Sequence, residues 1–133
     1  MYLLILQYKQ IQDRMSTQSK AGDTMATTMV VREMLELLDN FDRAFGVITP
    51  ETDEETAIDA EYRKVYQSIL DTFEKLGVKE VETVGKEFDF KYHQAIMQRP
   101  SADYEEGIIC EEYQKGFVIG ETLIRAAMVA VAA

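Results

Sequence analysis

The first 48 residues carry apolar side chains at alternating intervals of three and four positions. This spacing puts the apolar residues on one stripe of an α-helix and is typical of a coiled-coil seam. The stripe shifts by one position near residue 30, which changes the local winding of a coiled coil without ending the helix. A long helix is therefore predicted over about residues 1–48. Its seam consists of Leu4, Tyr8, Ile11, Met15, Met25 and Met29, followed by Val30, Met34, Leu37, Phe41, Ala44 and Ile48.

A helix of this length is much longer than a chain of 133 residues needs for its own core. At a rise of about 1.5 Å per residue, ~45 residues make a rod on the order of 70 Å long. An apolar seam along such a rod needs a partner, so we expect a dimer. Gly22, Thr24, Thr27 and Thr28 have low helix propensity, and we therefore expect residues 16–28 to be the weakest part of the rod.

A second amphipathic helix is predicted over about residues 54–76. Pro50 ends the first helix, and the acidic segment 51–55 suits the first turn of a new one because negative charge interacts favourably with the helix dipole. Lys75 and Gly77 are ordinary signals for the end of a helix. The apolar face of this helix consists of Ile58, Tyr62, Val65, Ile69, Phe73 and Leu76.

From residue 78 onward the apolar residues follow a period of two, in short segments that glycines separate. This pattern predicts short β-strands, and the last ~55 residues are expected to form a compact β module. The predicted fold class is therefore α+β, with a helical dimerisation region over residues 1–76 and a small all-β domain over residues 77–133. The strand-like segments are 78–84, 108–110, 117–119 and 123–131.

Composition narrows the range of functions. The formal charge is −10, from 24 acidic and 14 basic residues, and no basic stripe could follow a phosphate backbone. One histidine and one cysteine cannot supply a four-ligand zinc site. The apolar run at residues 2–6 is far shorter than the ~20 residues that span a bilayer. We therefore expect a soluble protein with no metal, no cofactor, no nucleic acid partner and no membrane span.

Asp89 and His93 form the one pair that suggests acid–base chemistry. A general base also needs a substrate pocket, a nucleophile or a metal beside it, and the sequence supplies none of these. Alternatively, Asp89 begins a turn and His93 anchors the strand 93–98 by hydrogen bonding. We favour this structural role, with a small hydrolase as the competing interpretation.

Arg125 interrupts the apolar face of the last predicted strand. Leu123, Ala127, Val129 and Val131 lie on the same side in that alternation. An arginine in such a position either forms a buried ion pair or anchors an interface. The residues alone leave both alternatives open.

Four C-terminal motifs, in their order and spacing, resemble the GrpE family of nucleotide exchange factors. The resemblance continues upstream through Leu76-Gly77-Val78 and through residues 37–44, and it covers roughly residues 11–133. The motifs are Phe88-Asp89-x-x-x-His93-x-Ala95-Ile96, Glu105-Glu106-Gly107, Gln114-Lys115-Gly116-Phe117 and Ile124-Arg125-x-Ala127-Met128-Val129-x-Val131.

The resemblance implies a homodimer with paired long helices, a four-helix bundle and one β domain per chain. Such a protein binds the ATPase domain of a DnaK-type chaperone and accelerates ADP release, without cofactors and without catalysing a reaction. An adaptor with the same rod and β domain but no effect on nucleotide release is the alternative. The implied dimer interface consists of Val30, Met34, Leu37, Phe41, Ile58, Tyr62, Val65, Ile69 and Phe73.

The family's chaperone-contacting surface can be carried over to this chain position by position. One member lies on the long helix and the others lie in the β domain. The corresponding residues are Arg14, Tyr113, Gly116, Phe117, Thr122, Arg125, Met128 and Val131.

Three positions depart from the family pattern. Phe90 stands where proline is usual, and we expect local packing to accommodate it. Thr122 stands where arginine is common, and Arg14 is the remainder of a basic cluster, so both surfaces have lost charge. Residues 83–89 and 107–109 are similar to plastid and cyanobacterial members, which favours the plastid stroma over the bacterial cytoplasm.

Overall fold

The computed structural model describes residues 2–133, except for the side chains of residues 19–21. Helix α1 spans Tyr2–Val47 and helix α2 spans Asp53–Lys75, and six short strands follow them along the chain. This arrangement confirms the predicted α+β fold class.

The start of α2 is fixed by local hydrogen bonds. The Thr52 hydroxyl accepts a hydrogen bond from the Glu55 N–H at 3.1 Å, and the Glu55 carboxylate accepts one from the Glu51 N–H at 2.8 Å. The first bond satisfies an N–H group that the start of the helix leaves unpaired, and the second ties the residue before the N-cap to the first turn. At the other end, Gly77 has a φ of +84°, which glycine adopts without strain, and the chain turns there into the first strand.

The strands are β1 (Val78–Glu80), β2 (His93–Arg99), β3 (Ile109–Gln114), β4 (Phe117–Ile119), β5 (Thr122–Arg125) and β6 (Ala127–Ala132). They form two three-stranded sheets, with the orders β1-β4-β5 and β2-β6-β3. All neighbouring strands are antiparallel except β2 and β6, which are parallel.

The single strand predicted over residues 123–131 is wrong, because this segment contains two strands. β5 ends at Arg125 and β6 begins at Ala127, and the two belong to different sheets. Arg125 therefore does not share a sheet face with Val129, although the alternating apolar pattern predicted that it would. Apolar residues lie on both sides of Ala126, so the pattern gives no sign that the chain crosses between sheets there. The strand predicted over 78–84 is also shorter and ends at Glu80.

Two apolar cores hold these elements together. The first core joins both helices to the first sheet, and the second lies against the second sheet. In the first core the rings of Phe73 and Phe117 meet edge to face, with centroids 6.2 Å apart. The first core contains Val31, Leu35, Leu38, Phe73, Val78, Phe117 and Ile124, and the second contains Val81, Ile109, Ala127, Val129 and Val131.

Helix α1 carries two adjacent apolar stripes rather than one. Val31, Leu35 and Leu38 are buried against the chain's own core. The predicted seam lies one position earlier, and within it Leu37 remains 53% exposed. The chain therefore covers the first stripe by itself and leaves most of the second in contact with solvent.

Candidate partner-binding surface

The β-domain residues assigned to partner binding lie on or next to four strands, β3 to β6. Gly116 and Phe117 lie at the turn between β3 and β4, Phe117 pairs with Arg125, and Ile119 pairs with Thr122. Met128 pairs with Gln114 across β6 and β3, whereas Val131 pairs with Ile109 nearer the other end of these strands. The set therefore follows the β3–β6 ladder and the β4–β5 hairpin.

Exposure divides this set into three groups. Tyr113 and Thr122 are exposed, and Arg125 and Met128 are half-buried. Gly116, Phe117 and Val131 are buried, with Phe117 only 1% exposed. The three buried residues therefore lie beneath the surface and support it, and they are not exposed to a partner.

Arg14 is not brought next to the β domain. It lies on the exposed first half of α1, 25 positions before Asp39, where the β domain contacts the helix. At about 1.5 Å per residue, the two positions are ~38 Å apart along the helix axis. A partner that contacts both Arg14 and the β domain must therefore span this distance.

Tyr113 belongs to a small polar cluster on β2 and β3. Its hydroxyl lies 3.1 Å from the Glu111 carboxylate and 3.4 Å from the Met97 sulfur. Arg99 forms an ion pair with Glu111 and lies 3.4 Å from the Tyr113 hydroxyl. Hydrogen bonding to Tyr113 and the negative charge of Glu111 raise the pKa of Arg99. The exposed tyrosine is thus held at a defined position on the sheet.

Arg125 forms an ion pair with Asp39, which is one of the two roles predicted for it. Its Nη1 donates to Asp39 Oδ2 at 2.7 Å, and its Nη2 donates to Asp39 Oδ1 at 2.9 Å. Nε and Nη2 also donate to the Lys115 carbonyl, at 3.0 and 2.6 Å. Gln114 donates to Asp39 Oδ2 at 3.1 Å. We call these four residues, Asp39, Gln114, Lys115 and Arg125, the Asp39 junction.

The Lys115 side chain forms a second link, between α2 and strand β1 of the first sheet. Its Nζ lies 3.3 Å from a Glu80 carboxylate oxygen and 5.4 Å from the centroid of the Tyr66 ring. Burial opposes the charged form of Lys115, but Tyr66 and the charge of Glu80 outweigh that effect and raise its pKa. Burial raises the pKa of Tyr66 to about 12. Lys115 therefore remains a cation at this half-buried position.

Sequence reasoning missed the residues that support the surface, above all Asp39. The sequence pattern assigned Asp39 no role beyond its place in the segment 37–44, because its partners Gln114 and Arg125 lie 75 and 86 positions away along the chain. The one available signal was Arg125, an arginine on an apolar strand that needed a carboxylate. No periodicity shows which of the 24 acidic residues supplies it.

His93 has a structural environment. It is buried, its Nδ1 accepts a hydrogen bond from the Asp89 N–H at 3.0 Å, and its Nε2 lies 2.7 Å from the Glu82 carbonyl oxygen. These partners assign the proton to Nε2. The Asp89 carboxylate accepts instead from the Lys91 N–H at 3.0 Å. Asp89 and His93 therefore do not form a carboxylate–imidazole pair.

The expectation that local packing accommodates Phe90 is wrong. Phe90 is 80% exposed, in the turn between Asp89 and the start of β2. The position tolerates phenylalanine because most of the side chain is exposed to solvent, where a bulky ring causes no clash.

The remaining chemistry of the described residues is limited. Within residues 2–133, no group of three or more His, Cys, Asp or Glu side chains is arranged to hold a metal ion. Neither described helix contains an apolar stretch long enough to cross a bilayer.

An open apolar groove lies between the end of α1 and the start of α2. Arg63 stacks over the Phe45 ring at one side, 4.3 Å from its centroid. Neither Phe45 nor Pro50 was assigned to an interface from the sequence. The apolar lining includes Leu37, Phe41, Ala44, Phe45, Ile48, Pro50, Ile58 and Tyr62.

These features define a class of α+β protein in which a long helix and a shorter one carry a β domain with a partly exposed polar surface. The sequence model of the GrpE family matches residues 3–133. The chain therefore belongs to the GrpE family, and the resemblance found in its motifs is confirmed.

Several curated relatives support this membership. Protein GrpE of Trichodesmium erythraeum (strain IMS101) is 39% identical over 110 residues, which make up 83% of this chain and 46% of that protein. Protein GrpE of Synechococcus sp. (strain JA-2-3B'a(2-13)) is 41% identical over 103 residues, 77% of this chain and 44% of that protein. Protein GrpE of Geobacillus stearothermophilus is 36% identical over 128 residues, 96% of this chain and 58% of that protein. The chain spans about half the length of the curated relatives it matches.

Proposed function

We propose that this chain is a nucleotide exchange factor that binds the ATPase domain of a DnaK-type chaperone and accelerates ADP release. The observation that carries the proposal is the family match over residues 3–133, which includes both helices and the β domain. The environment of His93 supports a binding protein rather than a hydrolase, because backbone groups engage both ring nitrogens.

The proposed mechanism is a shift in the conformational equilibrium of the chaperone. An exchange factor that binds the open nucleotide cleft more tightly than the closed one favours the open state. By linkage, it weakens nucleotide binding by the same factor by which nucleotide weakens its own binding. Nucleotide rebinding then releases it, and no covalent step is needed.

The exposed residues Tyr113 and Thr122 are the proposed direct contacts in the β domain. Phe117 and Val131 support the same surface from beneath, because their side chains are buried. Arg14 is the proposed contact on α1, where its side chain is exposed. Thr122 and the single Arg14 offer less charge than the family pattern, so we propose a weaker electrostatic contribution to binding.

We also propose that the chain forms a homodimer. Leu37 and Ile58 are more than half exposed and line the apolar groove between α1 and α2. A continuous exposed apolar surface is typical of an interface, and a second copy would bring two more helices to the same groove. Phe73 is already buried in the chain's own core, so it would contribute to the dimer only indirectly.

We propose the plastid stroma or the bacterial cytoplasm as the compartment, with a preference for the plastid stroma. The cyanobacterial relatives support this proposal, since plastid proteins are expected to be similar to cyanobacterial ones.

Binding measurements with and without ADP test the proposed function. The affinity of this protein for the chaperone ATPase domain is measured by titration calorimetry, first without nucleotide and then at saturating ADP. We expect tight binding without nucleotide and markedly weaker binding with ADP, because the two ligands favour different states of the cleft. Equal affinity in both conditions would instead describe an adaptor without exchange activity.

A further inference from the structure

We propose that Arg125 is a positioning residue, whose ion pair with Asp39 fixes the orientation of the β domain on α1. In this role Arg125 does not itself contact the chaperone, although its position corresponds to the family's contacting surface. The effect on exchange rests on the function proposed above, whereas the effect on orientation can be tested on this protein alone.

The first argument comes from the donors of the Arg125 guanidinium. A guanidinium has five N–H groups, and four hydrogen bonds within the chain use four of them. The side chain is also only 21% exposed. At most one N–H remains for a partner, so a strong bidentate contact with a chaperone carboxylate would require the bonds to Asp39 or those to the Lys115 carbonyl to break.

The second argument comes from what the Asp39 carboxylate connects. Asp39 lies on α1, whereas Arg125 ends β5 of the first sheet and Gln114 ends β3 of the second. Both side chains donate to this one carboxylate. A single residue of the long helix is therefore tied to both sheets of the β domain.

The third argument concerns direction. Leu35 and Leu38 of α1 share an apolar core with Phe117 and Ile124, and these contacts hold the β domain against the helix. Apolar contacts are non-directional, whereas the paired N–H···O bonds between guanidinium and carboxylate fix a plane and a distance. The apolar core therefore holds the β domain against α1, and the ion pair sets the angle between them.

The length of the rod makes this angle important for a partner that contacts both surfaces. With ~38 Å between Arg14 and Asp39, a tilt of ~10° at the junction displaces Arg14 by ~6–7 Å. This displacement is about twice the length of a hydrogen bond, so a loosened junction would rarely present both surfaces correctly. We therefore expect loss of the ion pair to weaken binding without changing the exchange rate of the complex once formed.

The test uses Arg125→Gln, Asp39→Asn, the double variant and Lys64→Gln as a matched control. Lys64 forms an exposed ion pair within α2 and joins no two elements. The readouts are the protein concentration that gives half-maximal acceleration of ADP release from the chaperone and the rate at saturation. We expect each single variant to raise the half-maximal concentration ~10-fold, with no further rise in the double variant and no change in the control. The saturating rate stays unchanged.

A contact role for Arg125 predicts a different result. Asp39→Asn would then free the guanidinium, and binding would stay the same or improve, while Arg125→Gln alone would weaken it. This outcome would overturn the proposal. Arg125→Lys is the second variant if Arg125→Gln fails to fold, and a positioning role predicts partial loss, since lysine keeps the charge without the fork.

Orientation is measured without the chaperone. Spin labels are placed at cysteines introduced for Glu36 and Glu121, in a chain with Cys110→Ser, and the labelled chain is diluted into unlabelled protein. We expect the distance distribution between the labels to broaden in Arg125→Gln and Asp39→Asn and to stay narrow in Lys64→Gln. Unchanged distributions in both junction variants would overturn the positioning role.

Failure of the unmodified protein to accelerate ADP release would reject the proposed function, and the distance measurement would still decide the role of Arg125.

Discussion

At the residue scale, His93 connects two backbone segments that the strands leave unpaired. It links the N–H of Asp89 to the carbonyl of Glu82, and it is buried beside the Phe88 ring, with centroids 6.0 Å apart. Glu82 and Asp89 lie outside the strands, so these hydrogen bonds help to hold the loop before β2, together with the backbone bridge between Glu87 and Ile108.

Replacing His93 with glutamine should therefore change stability and not exchange. The flexible amide carries its oxygen and nitrogen on one terminal carbon and cannot hold both backbone groups in the geometry of the rigid ring, so we expect a loss of ~1–3 kcal/mol in the free energy of unfolding. Urea denaturation measures this loss, and ADP release from the chaperone at saturating protein should remain unchanged. A normal stability combined with lost exchange would contradict the structural role of His93.

Gly116 is a second residue whose role is set by close packing. A Cβ at this position would lie 2.4 Å from the Ala127 backbone N and 2.9 Å from the Arg125 carbonyl oxygen. Backbone atoms cannot move aside as a flexible side chain can, so the turn between β3 and β4 requires glycine.

We therefore expect Gly116→Ala to lower the free energy of unfolding by more than ~2 kcal/mol, as overpacking in a tight core does. Gly46→Ala is the matched control, because its added Cβ meets no atom within 4 Å beyond the adjacent helix backbone and alanine favours the helix. Thermal unfolding followed by circular dichroism compares the two. Equal melting temperatures for the variants would show that the backbone at Gly116 relaxes.

The residue patterns predicted some local roles and could not predict others. The spacing of Asp89 and His93 suggested either catalysis or an anchored turn, and both ring nitrogens engage backbone groups. The pattern could not show that Phe90 faces solvent, since an aromatic residue next to a turn is as compatible with packing as with exposure. Arg125 was recognised as unusual, but its partner was not.

At the element scale, α1 has a well-supported half and an exposed half. Residues 31–38 pack on α2 and the first sheet through the first core, whereas the side chains described in residues 2–18 are all exposed. Gly22 lies between these halves, and threonines 24, 27 and 28 follow it. Residues 16–28 therefore combine low helix propensity with a position directly after the exposed segment 2–18, and within them Thr28 is buried.

Amide hydrogen exchange should detect this difference. We expect residues 16–28 to exchange faster than residues 34–45, and Gly22→Ala to slow exchange in the first segment because alanine favours the helix by about 1 kcal/mol. The second segment should be unaffected by this substitution. Equal protection of both segments in the unmodified protein would contradict the weak-segment hypothesis.

Periodicity predicted the existence and approximate limits of both helices, but it did not distinguish the two apolar stripes of α1. Val31, Leu35 and Leu38 have the same three–four spacing as the exposed seam with Leu37. A sequence shows which positions are apolar, and only the fold decides which stripe meets its own chain. The boundary at Ala126 between β5 and β6 was missed for a similar reason, since the crossing follows from pairing with other strands.

At the scale of the whole molecule, the groove between α1 and α2 exposes apolar side chains that the single chain does not cover. Leu37 of α1 and Ile58 of α2 both line the groove. Both side chains are already almost half covered, so burying the remainder would stabilise an assembly by about 1 kcal/mol each. A second copy is therefore the proposed occupant.

Sedimentation at micromolar concentration should give twice the mass of the chain. Leu37→Asp and Ile58→Asp should each shift the protein toward the monomer, because a carboxylate in an apolar interface loses its hydration without a partner. Lys64→Asp introduces the same side chain on an exposed part of α2 and should leave the mass unchanged. A monomer mass for the unmodified protein would contradict the proposed dimer.

The release of fluorescent ADP from a DnaK-type chaperone tests the central claim most directly. Stopped-flow mixing with excess unlabelled nucleotide, with and without this protein, gives the two release rates. The proposed function predicts a release rate that rises with protein concentration and then reaches a plateau, as expected for a complex that holds the cleft open. An unchanged release rate at concentrations that saturate binding would contradict the account and identify the chain as an adaptor.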